Sequence, residues 1–220
     1  VDPAEGKHPA EAFNVIKYTG SGSSNAITGV GFAPDVAWIK NIDAADDHCF
    51  FDSTRGVQKL LIPDDQDVEA TDADTLTAFG SDGFTVGADD KVNTNTENFV
   101  AWCWKANGGT TSTNDSGDID STVQTNTDSG FTLGTYTGNG TNSQTVGHGF
   151  SSAPKFVVVK GRDTVSNWVT WHTNLTSDKV LYWDGNAAEG TLSSGYITSI
   201  GATTFTLTDG SSNGNNVNKA

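Results

Sequence analysis

Methionine is absent from this 220-residue chain, cysteine occurs twice and proline five times. Basic residues are scarce: 12 Lys and Arg stand against 27 Asp and Glu, for a net charge of −15. No run of 18 apolar residues exists, so no membrane-crossing helix is expected. The shortage of positive charge argues against a partner with a phosphate backbone, so nucleic-acid binding is not expected. Two cysteines, Cys49 and Cys103, are too few for a disulfide framework. Two buried thiols are expected, with one bridge as the alternative. A chain that opens on Val1 and carries no Met reads as a processed or excerpted piece.

What is plentiful is glycine, 25 residues, with Thr, Ser and Asn between short apolar runs. That composition suits many short strands joined by tight turns and does not suit helices. The acid load is uneven. Residues 1–110 hold 18 acids against 7 bases, and residues 111–220 hold 9 against 5.

The chain also repeats itself. Phe13-Asn-Val15, Tyr18-Thr-Gly20 and Gly31-Phe32 return as Phe131-Thr-Leu133, Tyr136-Thr-Gly138 and Gly149-Phe150, each 118 residues later. Pro34 and Trp38-Ile-Lys40 return as Pro154 and Val158-Val-Lys160 at an offset of 120. Phe84-Thr-Val86 returns as Phe205-Thr-Leu207 at 121. Such a drift is what loop insertions produce, and it predicts two copies of one module. The expected organisation is a leader over 1–12, a first module over 13–106, a polar linker over 107–129 and a second module over 130–220. Each module is expected to be an antiparallel β-sandwich of the concanavalin or jelly-roll kind, within an all-β chain.

Phe99 to Lys105 carries bulky apolar groups on both faces, as a central strand does. Arg55 to Leu61 reads as the one helical turn of the first module. Leu76 to Phe79 and Gly83 to Val86 read as a hairpin around Ser81-Asp82. The second copy of the 99–105 strand would begin near residue 219, so the second module is expected to be truncated there. It should leave an open edge, filled by chain beyond Ala220 or by a strand from elsewhere.

Little in the sequence points to catalysis. His8, His48, His148 and His172 lack metal-ligand spacing, and no nucleophile elbow, P-loop or dinucleotide fingerprint occurs. The chain is therefore not expected to be an enzyme. The acidic run with Asp64, Asp65, Asp67, Glu69, Asp72 and Asp74 reads first as a solvated loop. Its alternative is a Ca²⁺ site on Asp65, Asp67, Asp72 and Asp74, since hard cations take clustered oxygens. No other cofactor is expected. Trp168, Trp171, Tyr182 and Trp183 crowd together. Trp168, Tyr182 and Trp183 form a candidate ligand platform, because aromatic faces stack on sugar rings. Core packing is the competing reading. Trp38, Trp102 and Trp104, in continuous apolar strands, are expected in the core.

Several separated signatures are carried by residues 7–105: Phe13-x-Val15, Tyr18-Thr-Gly20, Gly31-Phe32-x-Pro34-Asp35-x-x-Trp38-Ile-Lys40, Asp52-Ser-x-Arg55-Gly56, Ser81-Asp-Gly-Phe84 and Val100-Ala-Trp-Cys-Trp-Lys105. Together they resemble an uncharacterised repeat module of bacteriophage tail-fibre-like and virion structural proteins, marine phages above all, often beside SPRY-type concanavalin-like domains. Residues 130–217 fit more loosely. The resemblance implies a virion surface protein, in a fibre, spike or other appendage. Its implied partners are other virion proteins or copies of itself, a homotrimer included, and a host surface glycan or receptor. It implies no membrane insertion and carries no catalytic residues to transfer. A carbohydrate-binding module of a secreted or phage-borne depolymerase is the second expectation, and a calcium-dependent adhesin the third.

Overall fold

The computed structural model describes residues 9–175, 179–191 and 197–207. Over these residues the chain is all-β, with antiparallel strand pairs and one short α-helix. It falls into two compact units. Unit one takes the described residues within 1–62, 69–110 and 124–131; unit two takes those within 63–68, 111–123 and 132–220.

Unit one runs β1 (Phe13–Thr19), β2 (Asn25–Thr28), β3 (Val36–Asn41), β4 (Cys49–Asp52), β5 (Lys59–Leu60), β6 (Ala70–Thr71), β7 (Leu76–Gly80), β8 (Gly83–Val86), α1 (Asp90–Asn93) and β9 (Asn98–Trp104). One sheet has the order β1-β9-β3-β4, and a second has β2-β8-β7. β9 is central, paired with β1 and β3, as its two apolar faces predicted. Its inward residues Phe99, Ala101 and Cys103 join Ala37, Ile39, Cys49 and Phe51. Ile27, Phe84, Val86 and Leu76 of the second sheet belong to the same buried cluster. Burying each of the larger of these side chains stabilises by about 1.5–3 kcal/mol. Both cysteines are buried thiols, not joined in a disulfide. Burial pushes the Cys103 thiol up to about 12.

Arg55 to Leu61 is turn and strand, not helix. Asp52 accepts the backbone N–H of Thr54 and Arg55, which closes a tight turn in place of a helical one. The short helix lies instead at Asp90–Asn93, capped by Asp89, whose carboxylate accepts the Lys91 N–H.

Next come β10 (Ser112–Asn114), β11 (Ser121–Asn126) and β12 (Phe131–Tyr136), which form a three-stranded sheet. The expected linker over 107–129 is thus partly strand. Residues 124–131 belong to unit one, where Gln124 is fully buried. Its amide donates to Ser53 Oγ at 2.9 Å and Thr54 Oγ1 at 2.8 Å, and its oxygen accepts the Gly109 N–H at 2.9 Å. Polar composition misled there: a polar side chain, even one as long as glutamine, can be buried when every polar atom is satisfied.

Unit two continues with β13 (Gln144–Gly147), β14 (Phe156–Val159), β15 (Val169–His172), β16 (Lys179–Tyr182), β17 (Gly190–Thr191), β18 (Ile197–Ile200) and β19 (Thr204–Leu207). Its sheets run β14-β15-β16-β17 and β13-β19-β18. The repeat holds at the level of register. Lys59 faces Thr71 and Lys179 faces Thr191. Val36 faces Asp52 and Phe156 faces His172. Phe50 bridges Leu61, and Thr170 faces Leu181. Even the bulge recurs, at Thr77 and Thr198. In each case the skipped threonine hydroxyl donates to a carbonyl of the neighbouring strand, Thr85 or Thr206.

Candidate functional site

Side chains alternate across a strand, so the β14–β15–β16 sheet sorts its aromatics onto two faces. Val157, Val159 and Trp171 turn inward to the main core of unit two. Tyr182 packs against buried Val169 and Val180. The other face carries Phe156, Trp168, Leu181 and Trp183. There Trp168 and Trp183 stack with ring centroids 5.9 Å apart, and Trp183 stacks on Phe156 at the same distance. Phe156 meets His172 at 6.4 Å. The result is a row of rings along one sheet face, graded in exposure. Trp168 is buried, Trp183 half-buried and Phe156 48% exposed.

Polar contacts fix the row. Asp184 accepts the backbone N–H of Trp168 at 2.8 Å and the Asn167 amide at 2.7 Å. The Trp183 N–H donates to the Trp168 carbonyl at 3.2 Å, which extends the strand pairing beneath the two indoles.

This arrangement corrects the expected trio of Trp168, Tyr182 and Trp183. Tyr182 and Trp183 are consecutive, so an extended backbone sends them to opposite faces. Phe156 takes the place given to Tyr182. It could have been found by alternation: in Phe156-Val-Val-Val159, the register that buries Val157 and Val159 exposes Phe156.

Unit one builds a related face. Lys17, Val15 and Phe13 of β1 share it with Val100, Trp102 and Trp104 of β9 and with Trp38 and Lys40 of β3. Trp38 meets Trp102 at 5.8 Å and Phe50 at 6.3 Å, and its indole N–H donates to His48 Nδ1 at 2.9 Å. Phe13, Trp104 and Phe131 form a second run, at 5.0 and 6.2 Å. Trp38, Trp102 and Trp104 are half-buried on this outer face. They are not in the core cluster, where their runs of apolar neighbours had placed them.

The acidic run is divided between the two units. Asp65 and Asp67 fall in unit two, Asp72 and Asp74 in unit one. Asp65 accepts the Gln66 N–H, and Asp72 accepts the Asp74 N–H. Glu69 binds the guanidinium of Arg55 at 3.0 Å. Among the described residues no group of three or more His, Cys, Asp or Glu is placed to hold a metal.

The histidines work locally. His148 Nδ1 accepts the Phe150 N–H at 3.2 Å, and Nε2 lies 3.3 Å from the Gly201 carbonyl. Burial holds this imidazole below the usual histidine range. His172 Nδ1 accepts the Asn174 N–H. His8 lies outside the described residues. A polar groove of about 430 Å³, which sequence reasoning missed, is lined by Asp118, Asp120, Thr122, Tyr136 and Arg162, among others. Asp118 accepts both the hydroxyl and the N–H of Thr145 there, which holds its carboxyl below the usual range.

The fold and these faces define a duplicated all-β protein with aromatic rows on sheet surfaces. The chain belongs to a family described as a domain of unknown function (DUF7483), whose model matches residues 8–220. That match runs across both units, so the pair of repeats, not one copy, is what the family shares. No curated protein and no solved structure matches the chain.

Proposed function

We propose that this chain is a non-enzymatic binding module of a bacteriophage virion, set in a fibre, spike or other appendage, that contacts a host surface glycan. In this reading each unit is a two-sheet sandwich that displays an aromatic sheet face. The observation that carries the binding role is the row Trp168, Trp183 and Phe156, ordered by stacking and strand pairing and exposed toward one end. Apolar faces of sugar rings stack on such surfaces, and each ring pair is worth about 0.5–1.5 kcal/mol. The virion setting comes from the resemblance in residues 7–105. The histidines of the described residues are occupied in local hydrogen bonds, which favours display over chemistry.

The test titrates the chain with bacterial surface polysaccharides and follows tryptophan fluorescence. Binding is expected, weakened about 2- to 12-fold by Trp183→Ala or Phe156→Ala and unchanged by Val165→Ala. Failure to bind any surface polysaccharide would end the glycan reading. Antibody labelling of phage particles tests the virion setting separately. A carbohydrate-binding module of a depolymerase would bind glycan and leave particles unlabelled.

A further inference from the structure

β3 and β14 occupy the same place in the two repeats but have different surroundings. β3 is flanked on both sides, by β9 and by β4. β14 stands at the end of the order β14-β15-β16-β17, and among the described residues only β15 pairs with it. The direction of its backbone groups follows from one bond. The Thr173 N–H donates to the Lys155 carbonyl across the β14–β15 register. In an antiparallel pair the bonded residues alternate, so Val157 and Val159 bond to β15. The N–H and C=O groups of Phe156 and Val158 then point to the other edge.

The side chains record the same difference. Val36 is 1% exposed, and its counterpart Phe156 is 48% exposed. Ala37 is fully buried, whereas Val157 is half-buried. In unit one this cover is supplied by β9, with Trp104 opposite Val36 and Trp102 opposite Trp38.

We infer that the free edge of β14 is a strand-accepting site for an extended segment with the chemistry of β9. That segment runs antiparallel to β14. It places Phe-, Ala- and Cys-like side chains on the core side, beside Val157 and Val159. It lays aromatic side chains beside Phe156 and Val158 on the outer face. Charge sets its last residue. Lys155, exposed just before β14, stands where unit one has buried Asp35. In the β9 register the residue after the donor's Trp104 equivalent lies opposite it. An acidic residue there completes the match, where unit one carries Lys105. Pairing of this kind takes its affinity from backbone hydrogen bonds and its specificity from alternate side chains.

The experiment measures backbone amide exchange, residue by residue, in the full chain. The probe is a synthetic peptide with the sequence of residues 98–104 followed by glutamate. In β9 the Lys105 N–H bonds to the Ala12 carbonyl, so odd residues face β1 and even residues face β3. A control peptide is therefore N-methylated at the Trp102 position, which removes one donor to the acceptor strand and keeps every side chain. In the free chain, Phe156 and Val158 are expected to exchange at least tenfold faster than Val157 and Val159. The peptide slows them tenfold or more, and the methylated control does not. If these two amides are already protected in the free chain, the edge is occupied and the inference fails. It fails equally if the peptide leaves their exchange unchanged, or if the control protects them as well as the probe.

Discussion

The two units share a path and a register, yet they are held together differently. Unit one is tied by buried polar groups. Asp35, 1% exposed, accepts the N–H groups of Ala106, Gly108 and Gly109 and the Ser53 hydroxyl. Arg55 is clamped between Asp52 at 2.5 Å and Glu69 at 3.0 Å, and it also donates to the carbonyls of Phe50 and Lys59. At the same steps unit two has Lys155, His172 and Leu175, and only Glu189 keeps its charge type. The strands therefore do not need the ion cluster in order to form. The cluster is an addition that fastens the β4–β5–β6 corner of one copy, and it accounts for the Asp52-Ser-x-Arg55-Gly56 motif appearing once.

The largest expected effect breaks that difference directly. Arg55→Leu gives unit one the residue of unit two and strands two carboxylates, Asp52 and Glu69, whose side chains are under 10% exposed. Removing one partner of a buried ion pair costs about 3–5 kcal/mol. Urea unfolding should show unit one destabilised by that order, with the unit-two transition in place. Combining Arg55→Leu with Asp52→Asn and Glu69→Gln should recover most of the loss, because the buried charges go together. A single variant as stable as the parent would show that the cluster is ornamental.

A smaller effect should be equal in both units. Gly31 and Gly149, members of the repeated Gly-Phe pair, have φ of +90° and +83°. A Cβ on Gly31 would meet nothing within 4 Å, so only the backbone conformation resists substitution there. Gly31→Ala should cost about 1–2 kcal/mol through the left-handed backbone. Gly149→Ala should cost the same in unit two. Paired thermal melts check this, and unequal losses would mean that the two turns are no longer equivalent.

These residues also show what could be read in advance. Repeated pairs such as Gly31-Phe32 and Gly149-Phe150 are local, since the turn dictates the residue, and so the duplication and the hairpin at Ser81-Asp82 were legible. β9 as a central strand was legible from its two apolar faces. Side-chain direction needed the register. Without it Tyr182 was grouped with Trp183, and Trp38, Trp102 and Trp104 were sent to the core because their neighbours are apolar. Long-range polar satisfaction was not legible at all. Gln124 reads as linker until Ser53 and Thr54, some 70 residues away, are brought to its amide.

The smallest expected effect sharpens the comparison at a charge that recurs in both units. Lys40 and Lys160 stand at the C-terminal ends of matching strands, within β3 and just past β14, and each folds its ammonium onto the carbonyl of the next residue, Asn41 at 2.6 Å and Gly161 at 2.8 Å. The Lys160 ammonium also donates to the Gln66 carbonyl at 3.2 Å. Burial nonetheless pulls Lys160 down to about 8, against the opposing pull of Asp184, Asp67 and Asp65. Its folded value thus lies below the unfolded one. Between about pH 8 and the ordinary lysine range near 10.4, the unfolded chain holds a proton that the folded chain has released. Stability must therefore rise with pH across that window through this residue, and the gain is absent below it. Lys160 keeps some solvent contact, so screening makes the rise modest. Lys160→Gln should remove it. Urea midpoints of the unit-two transition, taken from pH 7 to 10.5, should therefore climb in the parent relative to the variant. A parent that instead loses ground to Lys160→Gln as the pH rises would mean that the ammonium is stabilised by its carbonyls and carboxylates more than it is penalised by burial.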